Sequence, residues 1–197
     1  MSSNLSPVVV GYDFSHSAAA ALRRAVTLAA RAPFHVLHVV SVIDPKEAIP
    51  SIASYNGIDD MYAARVQEAL ATEIQHELDK AEVQTRVHFF VHARIGEAAE
   101  EILVLAREVG ADLIIVGSRD VTGLERLRLI VGSTAENIVR DAGCTVEVAR
   151  PKQYPDVERV ATEPADDGQP HPSYVPPHRY TYEDHRVNFR PVEWPLY

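Results

Sequence analysis

Basic residues are too few and too scattered to make a polyanion-binding surface. The chain has 19 lysines and arginines against 28 aspartates and glutamates, for a formal net charge of −9. Recognition of a nucleic-acid backbone needs a dense field of phosphate-neutralising cations, so no nucleic-acid partner is expected. Cysteine is nearly absent: Cys144 stands alone, which excludes an intramolecular disulfide and any metal cluster built on several thiolates. No apolar run approaches the roughly 18 residues of a membrane-spanning helix, so no membrane partner is expected. The opening MSSNLSPVVVGYD lacks the charged start and long apolar stretch of a secretory signal. A cytoplasmic location follows from these absences. Missing as well are a Gly-x-Ser-x-Gly elbow, a His-Glu-x-x-His pair and a Walker loop, so a dedicated enzyme is not expected.

What is present, up to about residue 150, is an alternation of two kinds of segment. Short β-branched runs, Pro7 to Tyr12, Phe34 to Val42, Arg86 to Arg94, Leu113 to Val116 and 144–149, read as strands, the first and fourth of them buried. Between them lie stretches with helical spacing, about 16–32, 59–82, 98–109 and 133–142. Ser15 or Ser17 can cap the first of these. In the second, Tyr62, Val66, Leu70, Ile74 and Leu78 recur every four residues and so share one face. The order βαβαβαβαβ predicts an α/β fold: a five-stranded parallel sheet with helices on both faces, a Rossmann-like three-layer sandwich. Such sheets bind ligands beyond the carboxyl ends of their strands where the strand order reverses, which singles out the loops after the first and fourth strands.

From Pro151 the character changes. The remaining stretch holds nine of the thirteen prolines, no helical period and half of the aromatics: Tyr154, Tyr174, Tyr180, Tyr182, Phe189, Trp194 and Tyr197. The expected organisation is a domain at 1–150 and an irregular proline- and aromatic-rich extension at 151–197. Prolines oppose regular helix and central strand there. The rings of 173–197 suit packing on the domain, a second copy or a protein partner.

The segment after the fourth strand is richest in site signals. Gly117 ends the strand and admits close backbone approach. Gly132-Ser133-Thr134 opens a helix, where free N–H groups and the positive dipole end favour an anion. On spacing alone, a strand-exit turn at Gly117 and a helix cap at Ser133 explain the same residues. For Asp13, at the end of the first strand, a turn residue bonding its own backbone is an equal alternative to a ligand contact.

The pieces VVVGYDFSHS, HVLHVV, RIGEAAEEIL, GADLIIVGSRD and GSTAENIVRDAGCTVEVAR, in this order, resemble the universal stress protein family from Pro7 to Arg150. The resemblance implies a sheet of the adenine-nucleotide-hydrolase-like type and a homodimer, often built through the last strand. In some members it implies bound ATP, with Mg²⁺ accompanying the nucleotide. In the ATP-binding branch the loop reads Gly, two residues, Gly, nine residues, Gly, then Ser or Thr. Gly117 matches the first glycine, and Gly132-Ser133 matches the last pair. Asp120 stands at the second, with eleven residues between it and Gly132. By the same resemblance Asp13 contacts the nucleoside and Val39 lies beside the adenine, while Ser118 and Thr134 flank the matched glycines. The expected function is a regulatory stress-response protein that binds an adenine nucleotide. The departures at Asp120 and in loop length favour a nucleotide-free dimer acting as a protein-interaction module.

Three other groups carry residue types that can serve as sites. His88 and His92 face one side of the third strand with Phe90 between them, but about 13 Å apart at strand rise they are too distant to share a metal. His171, His178 and His185 recur every seven residues in the extension without carboxylate or cysteine companions, so no metal site is expected there. Cys144 reads as a buried, inert thiol. Glu147 places a charge in the last strand, a common device against edge pairing.

Overall fold

The computed structural model describes residues 5–32, 34–45, 49, 52, 60–83, 86–118, 132–151, 178–183 and 186–191. By backbone contacts the chain divides into two units, Met1–Pro151 and Lys152–Tyr197. The first unit alternates strand and helix: β1 (Ser6–Gly11), α1 (His16–Arg31), β2 (His35–Ile43), α2 (Asp60–Lys80), β3 (His88–Ile95), α3 (Ala98–Val109), β4 (Leu113–Gly117), α4 (Ser133–Asp141) and β5 (Thr145–Ala149). The five strands form one parallel sheet in the order β3-β2-β1-β4-β5. The chain therefore builds outward from β1 to β3, then returns to β1's other side with β4. That reversal between β1 and β4 opens a crevice at their carboxyl ends.

Alternation along each strand sends side chains to two separate cores. Val8, Val10, Leu37, Val39 and Ile115 pack with α1 and the fully buried Tyr62, Val66, Leu70 and Ile74 of α2. Val9, Val40, Ile114 and Val116 pack with Ile102 and Leu105 of α3 and with Ile138 of α4. Each fully buried aliphatic side chain contributes about 1.5–3 kcal/mol relative to exposure. The stripe of α2 thus lies where its spacing placed it, with Leu78 only partly buried at the helix end.

Helix ends follow local chemistry. Ser15 caps α1, its Oγ accepting from the N–H of Ala18 at 3.1 Å. Glu97 caps α3 through the N–H of Glu100 at 2.9 Å. Gly110 closes α3 at φ 64°, a left-handed conformation that costs glycine little. Tyr62 also fastens the connection before its helix, its hydroxyl accepting from the N–H of Ile49 at 2.9 Å.

The second unit contains an antiparallel pair, β6 (His178–Glu183) and β7 (Arg186–Pro191), with Tyr180 opposite Phe189 and Tyr182 opposite Val187. This corrects the expectation of a wholly irregular extension. Pro177 and Pro191 bracket a proline-free run in which aromatic and β-branched residues alternate with polar ones, a pattern that favours strand. Tyr154, Tyr174, Trp194, Tyr197, His171 and His185 lie outside the described residues, and with them the expected ring packing.

Candidate functional site

At the reversal between β1 and β4 a cavity of about 450 Å³ opens, within the size range of small-molecule sites. Three segments build its polar side. The first is the turn from β1 into α1. Asp13 is exposed, and its Oδ1 accepts from the N–H of Ser15 at 3.0 Å. Phe14 takes a positive φ of 63°, a conformation uncommon for a non-glycine residue. Ser15 and the buried Ser17 share a hydroxyl–hydroxyl hydrogen bond of 3.1 Å. Tyr12, also at the cavity, donates to Glu73 Oε2 at 3.3 Å, and burial together with Glu73 pushes its hydroxyl above the usual tyrosine range.

The second segment is the end of β4. A Cβ on Gly117 would stand 2.6 Å from the carbonyl carbon of Ser17 and 2.7 Å from the nitrogen of Ala18. Backbone atoms cannot yield as a side-chain tip can. Gly117 is therefore a glycine because the start of α1 lies against it. Ser118 follows, buried, its N–H bonded to the carbonyl of Ala149 at 2.9 Å.

The third segment is the start of α4. Gly132 is the N-cap, at φ −58° and ψ 152°, and among the described residues no side chain caps the helix. Ser133 and Thr134 line the cavity beside it. An uncapped amino terminus presents free N–H donors and the positive dipole end to whatever enters. The alternative reading of Ser133 as a helix cap is thereby removed: Ser133 lies one residue inside the helix.

The sequence profile of the universal stress protein family matches residues 4–150. The chain belongs to the universal stress protein family. A universal stress protein of Methanocaldococcus jannaschii is 30% identical over 145 residues, spanning 73% of this chain and 81% of that one. Among solved structures, the universal stress protein UspA from Lactobacillus plantarum superposes with a TM-score of 0.55 at 23% identity, covering 75% of this chain and 99% of its own. A universal stress protein from Archaeoglobus fulgidus, solved in complex with dAMP, gives 0.50 at 21% identity, covering 74% and 98%. At these identities the two structures speak to the fold.

In this universal stress protein the cavity gathers Asp13, Gly117, Ser118, Gly132, Ser133 and Thr134 from three separate loops. Val39 is elsewhere. It is fully buried in the core beneath α1 and α2, and β2 offers the cavity Val40 and Val42 instead. The reason is strand parity: adjacent residues face opposite sides of the sheet, and the cavity lies on the α3 side. Ile102 and Ala98 of α3 complete that apolar wall. Sequence reading missed these four. Arg119, Asp120, Gly123, Leu124, Arg126, Leu127 and Arg128 lie outside the described residues.

Cys144 precedes β5 and is half-buried. Burial, then the charge of Asp112, pushes its thiol up, the opposite of an activated nucleophile. β5 is a sheet edge, and Glu147 within it is paired with Arg24 Nε of α1 at 2.6 Å. Its charge is met within the chain. No helix among the described residues is long and apolar enough to cross a membrane.

Proposed function

We propose that this universal stress protein is a regulatory protein that binds an adenine nucleotide, ATP in the first instance, at the carboxyl ends of β1 and β4. The observation that carries the reading is the uncapped amino terminus of α4 opening into the cavity. The N–H groups at the start of α4 and the hydroxyls of Ser133 and Thr134 would hold phosphates. Val40, Val42 and Ile102 would meet the base. Asp13 keeps Oδ2 outside its turn hydrogen bond, free for a ribose hydroxyl or for Mg²⁺ travelling with the nucleotide. The dAMP complex of the Archaeoglobus fulgidus protein is compatible with an adenine ligand on this fold.

The helix donors would offset the phosphate charge of a bound nucleotide, and the nucleotide would bridge the three loops, which suits sensing better than turnover. Among the described residues that line the cavity none is positioned as a base for an attacking water, so hydrolysis should stay below about 1 s⁻¹. A faster steady-state rate that disappears in Asp13→Ala would reveal a catalytic group. The protein would act in the cytoplasm.

The test is nucleotide carried through purification, released by denaturation and separated by chromatography, followed by calorimetric titration with ATP, ADP and AMP with and without Mg²⁺. Saturable binding of an adenine nucleotide is expected. Flat titrations at millimolar concentration would move the protein to the second reading, a nucleotide-free homodimer serving as an interaction module, with a protein partner engaged through residues 151–197. That reading is favoured by the exposed edge of β5, whose Glu147 is neutralised by Arg24 rather than left to repel a second copy. Light scattering decides whether the chain dimerises.

A further inference from the structure

The sheet face that carries α3 and α4 is covered unevenly. α3 packs on β1 and β2, and on the β3 side of that face Phe90 is 56% exposed. Here two histidines from different strands meet. Parallel pairing sets His38 opposite Phe90 and Val40 opposite His92, so His38 and His92 are diagonal neighbours on one face. His38 Nδ1 and His92 Nε2 are 3.1 Å apart. Phe90 stacks on His38 with ring centres 5.0 Å apart and planes tilted by 19°, which restrains that imidazole. Both histidines are half-buried and reachable from solvent, and neither lines the nucleotide cavity.

We propose that His38 and His92 form a two-imidazole site for a divalent transition-metal ion of the Cu²⁺, Ni²⁺ and Zn²⁺ class, with its other coordination positions open to water or an external ligand. Imidazole nitrogens bind such ions at about 2.0–2.1 Å; at ligand angles from square to tetrahedral, two of them on one ion are about 2.9–3.4 Å apart. The observed separation lies inside that interval. The ring centres are 5.3 Å apart with planes tilted by 26°, so the rings meet edge to edge through these nitrogens. In this arrangement the lone pairs face each other along the hydrogen bond, and both rings must turn to aim them at an ion held to one side of it.

Without an ion the two nitrogens share a hydrogen bond in which one ring donates and the other accepts. To bind, His38 carries its proton on Nε2 and His92 on Nδ1, so two neutral rings lose no proton overall. Burial supports that state by pushing both imidazoles below the usual histidine range. Arg94, whose charge acts on His92, is engaged by Glu101 at 3.3 Å and by Glu108, both on α3, so its charge is offset. Mg²⁺ and Ca²⁺ prefer oxygen and are not candidates. Among the described residues no three histidine, cysteine, aspartate or glutamate side chains gather as a metal cage. The site is thus an exchangeable one that follows the intrinsic affinity order, with Cu²⁺ strongest.

The test uses the untagged full chain. Cu²⁺ is titrated by calorimetry and by electron paramagnetic resonance into the wild type, His38→Gln, His92→Gln and the control His88→Gln, each checked for native melting. One Cu²⁺ with two coordinated nitrogens is expected. Affinity should fall about tenfold or more in His38→Gln and in His92→Gln and stay unchanged in His88→Gln. Equal affinity in all four proteins, or an equal loss in His88→Gln, overturns the proposal and assigns the ion to other histidines. If either glutamine variant melts early, imidazole ¹⁵N shifts of the wild type under Zn²⁺ decide: metal-bound shifts at His38 Nδ1 and His92 Nε2 support the site, and movement of other histidines alone overturns it.

Discussion

Two helices direct their amino termini at the same cavity, and the two ends differ. The start of α1 is closed: Ser15 caps it, Asp13 bonds back to Ser15, and Gly117 lies against Ser17 and Ala18 at backbone distance. The start of α4 is open, with Gly132 at the cap position and no side chain among the described residues satisfying its first N–H groups. Free helix donors are met by water or by a ligand, and an anion gains most from them. The contrast locates anion affinity at α4 and gives α1 a structural role. It also separates two glycines that look alike in the sequence. Gly117 is there for packing, whereas Gly132 leaves donors exposed.

The largest expected effect breaks the closed end. Gly117→Ala drives a methyl group into the Ser17–Ala18 backbone and should destabilise the protein by about 1–3 kcal/mol, read as a lower urea midpoint. A change below about 0.5 kcal/mol would show that β4 and α1 separate cheaply and that the packing account of Gly117 is wrong. Next comes Ser15→Ala, which removes the α1 cap at a cost of about 1 kcal/mol. Adenine-nucleotide affinity should survive that substitution; a parallel loss of affinity would place phosphates at α1 after all.

The converse change closes the open end. At its φ and ψ Gly132 tolerates a side chain, so Gly132→Ser supplies the missing cap. Stability should rise by a few tenths of a kcal/mol, while nucleotide affinity falls several-fold as the new hydroxyl competes for the donors. Stronger binding in this variant would contradict the phosphate site.

The smallest effect concerns Cys144, away from both ends. Its raised thiol pKa means that the folded state favours the neutral form. That contribution to stability is complete below the unfolded value of about 8.5 and is lost as pH rises through the folded value. Iodoacetamide at pH 8 should therefore modify Cys144 more slowly in the native chain than in the urea-unfolded one. Equal rates would show an unprotected thiolate.

Much of the architecture was legible because local periodicity and global fold agree. The four-residue stripe of α2 became four fully buried side chains, and α3 runs from 98 to 109 as its spacing predicts. The site was less legible. Asp13, Gly117 and Gly132 could be placed at strand and helix ends, but the same chemistry serves turns, close packing and ligands. Val39 shows how narrow the margin is, since a one-residue difference in strand parity separates the core from the cavity wall. The β6–β7 pair was hidden because proline frequency across the whole extension masked a short alternating run between Pro177 and Pro191.

By itself the sequence determined the succession of strands and helices up to about residue 150, the exclusion of an intramolecular disulfide and the family to which the chain belongs. These follow from composition and from contacts within a few residues. Tertiary structure decided which strands became neighbours, and with them everything that depends on proximity. The order β3-β2-β1-β4-β5 joined Asp13 and Gly132 at one cavity and gave Glu147 its partner on α1. It also set His38 against His92, although the sequence had suggested comparing His92 with His88 on its own strand. Within one strand, rise fixes a separation too great for a shared ion. Between paired strands, the hydrogen-bonded ladder brings together side chains that are 54 positions apart in the chain.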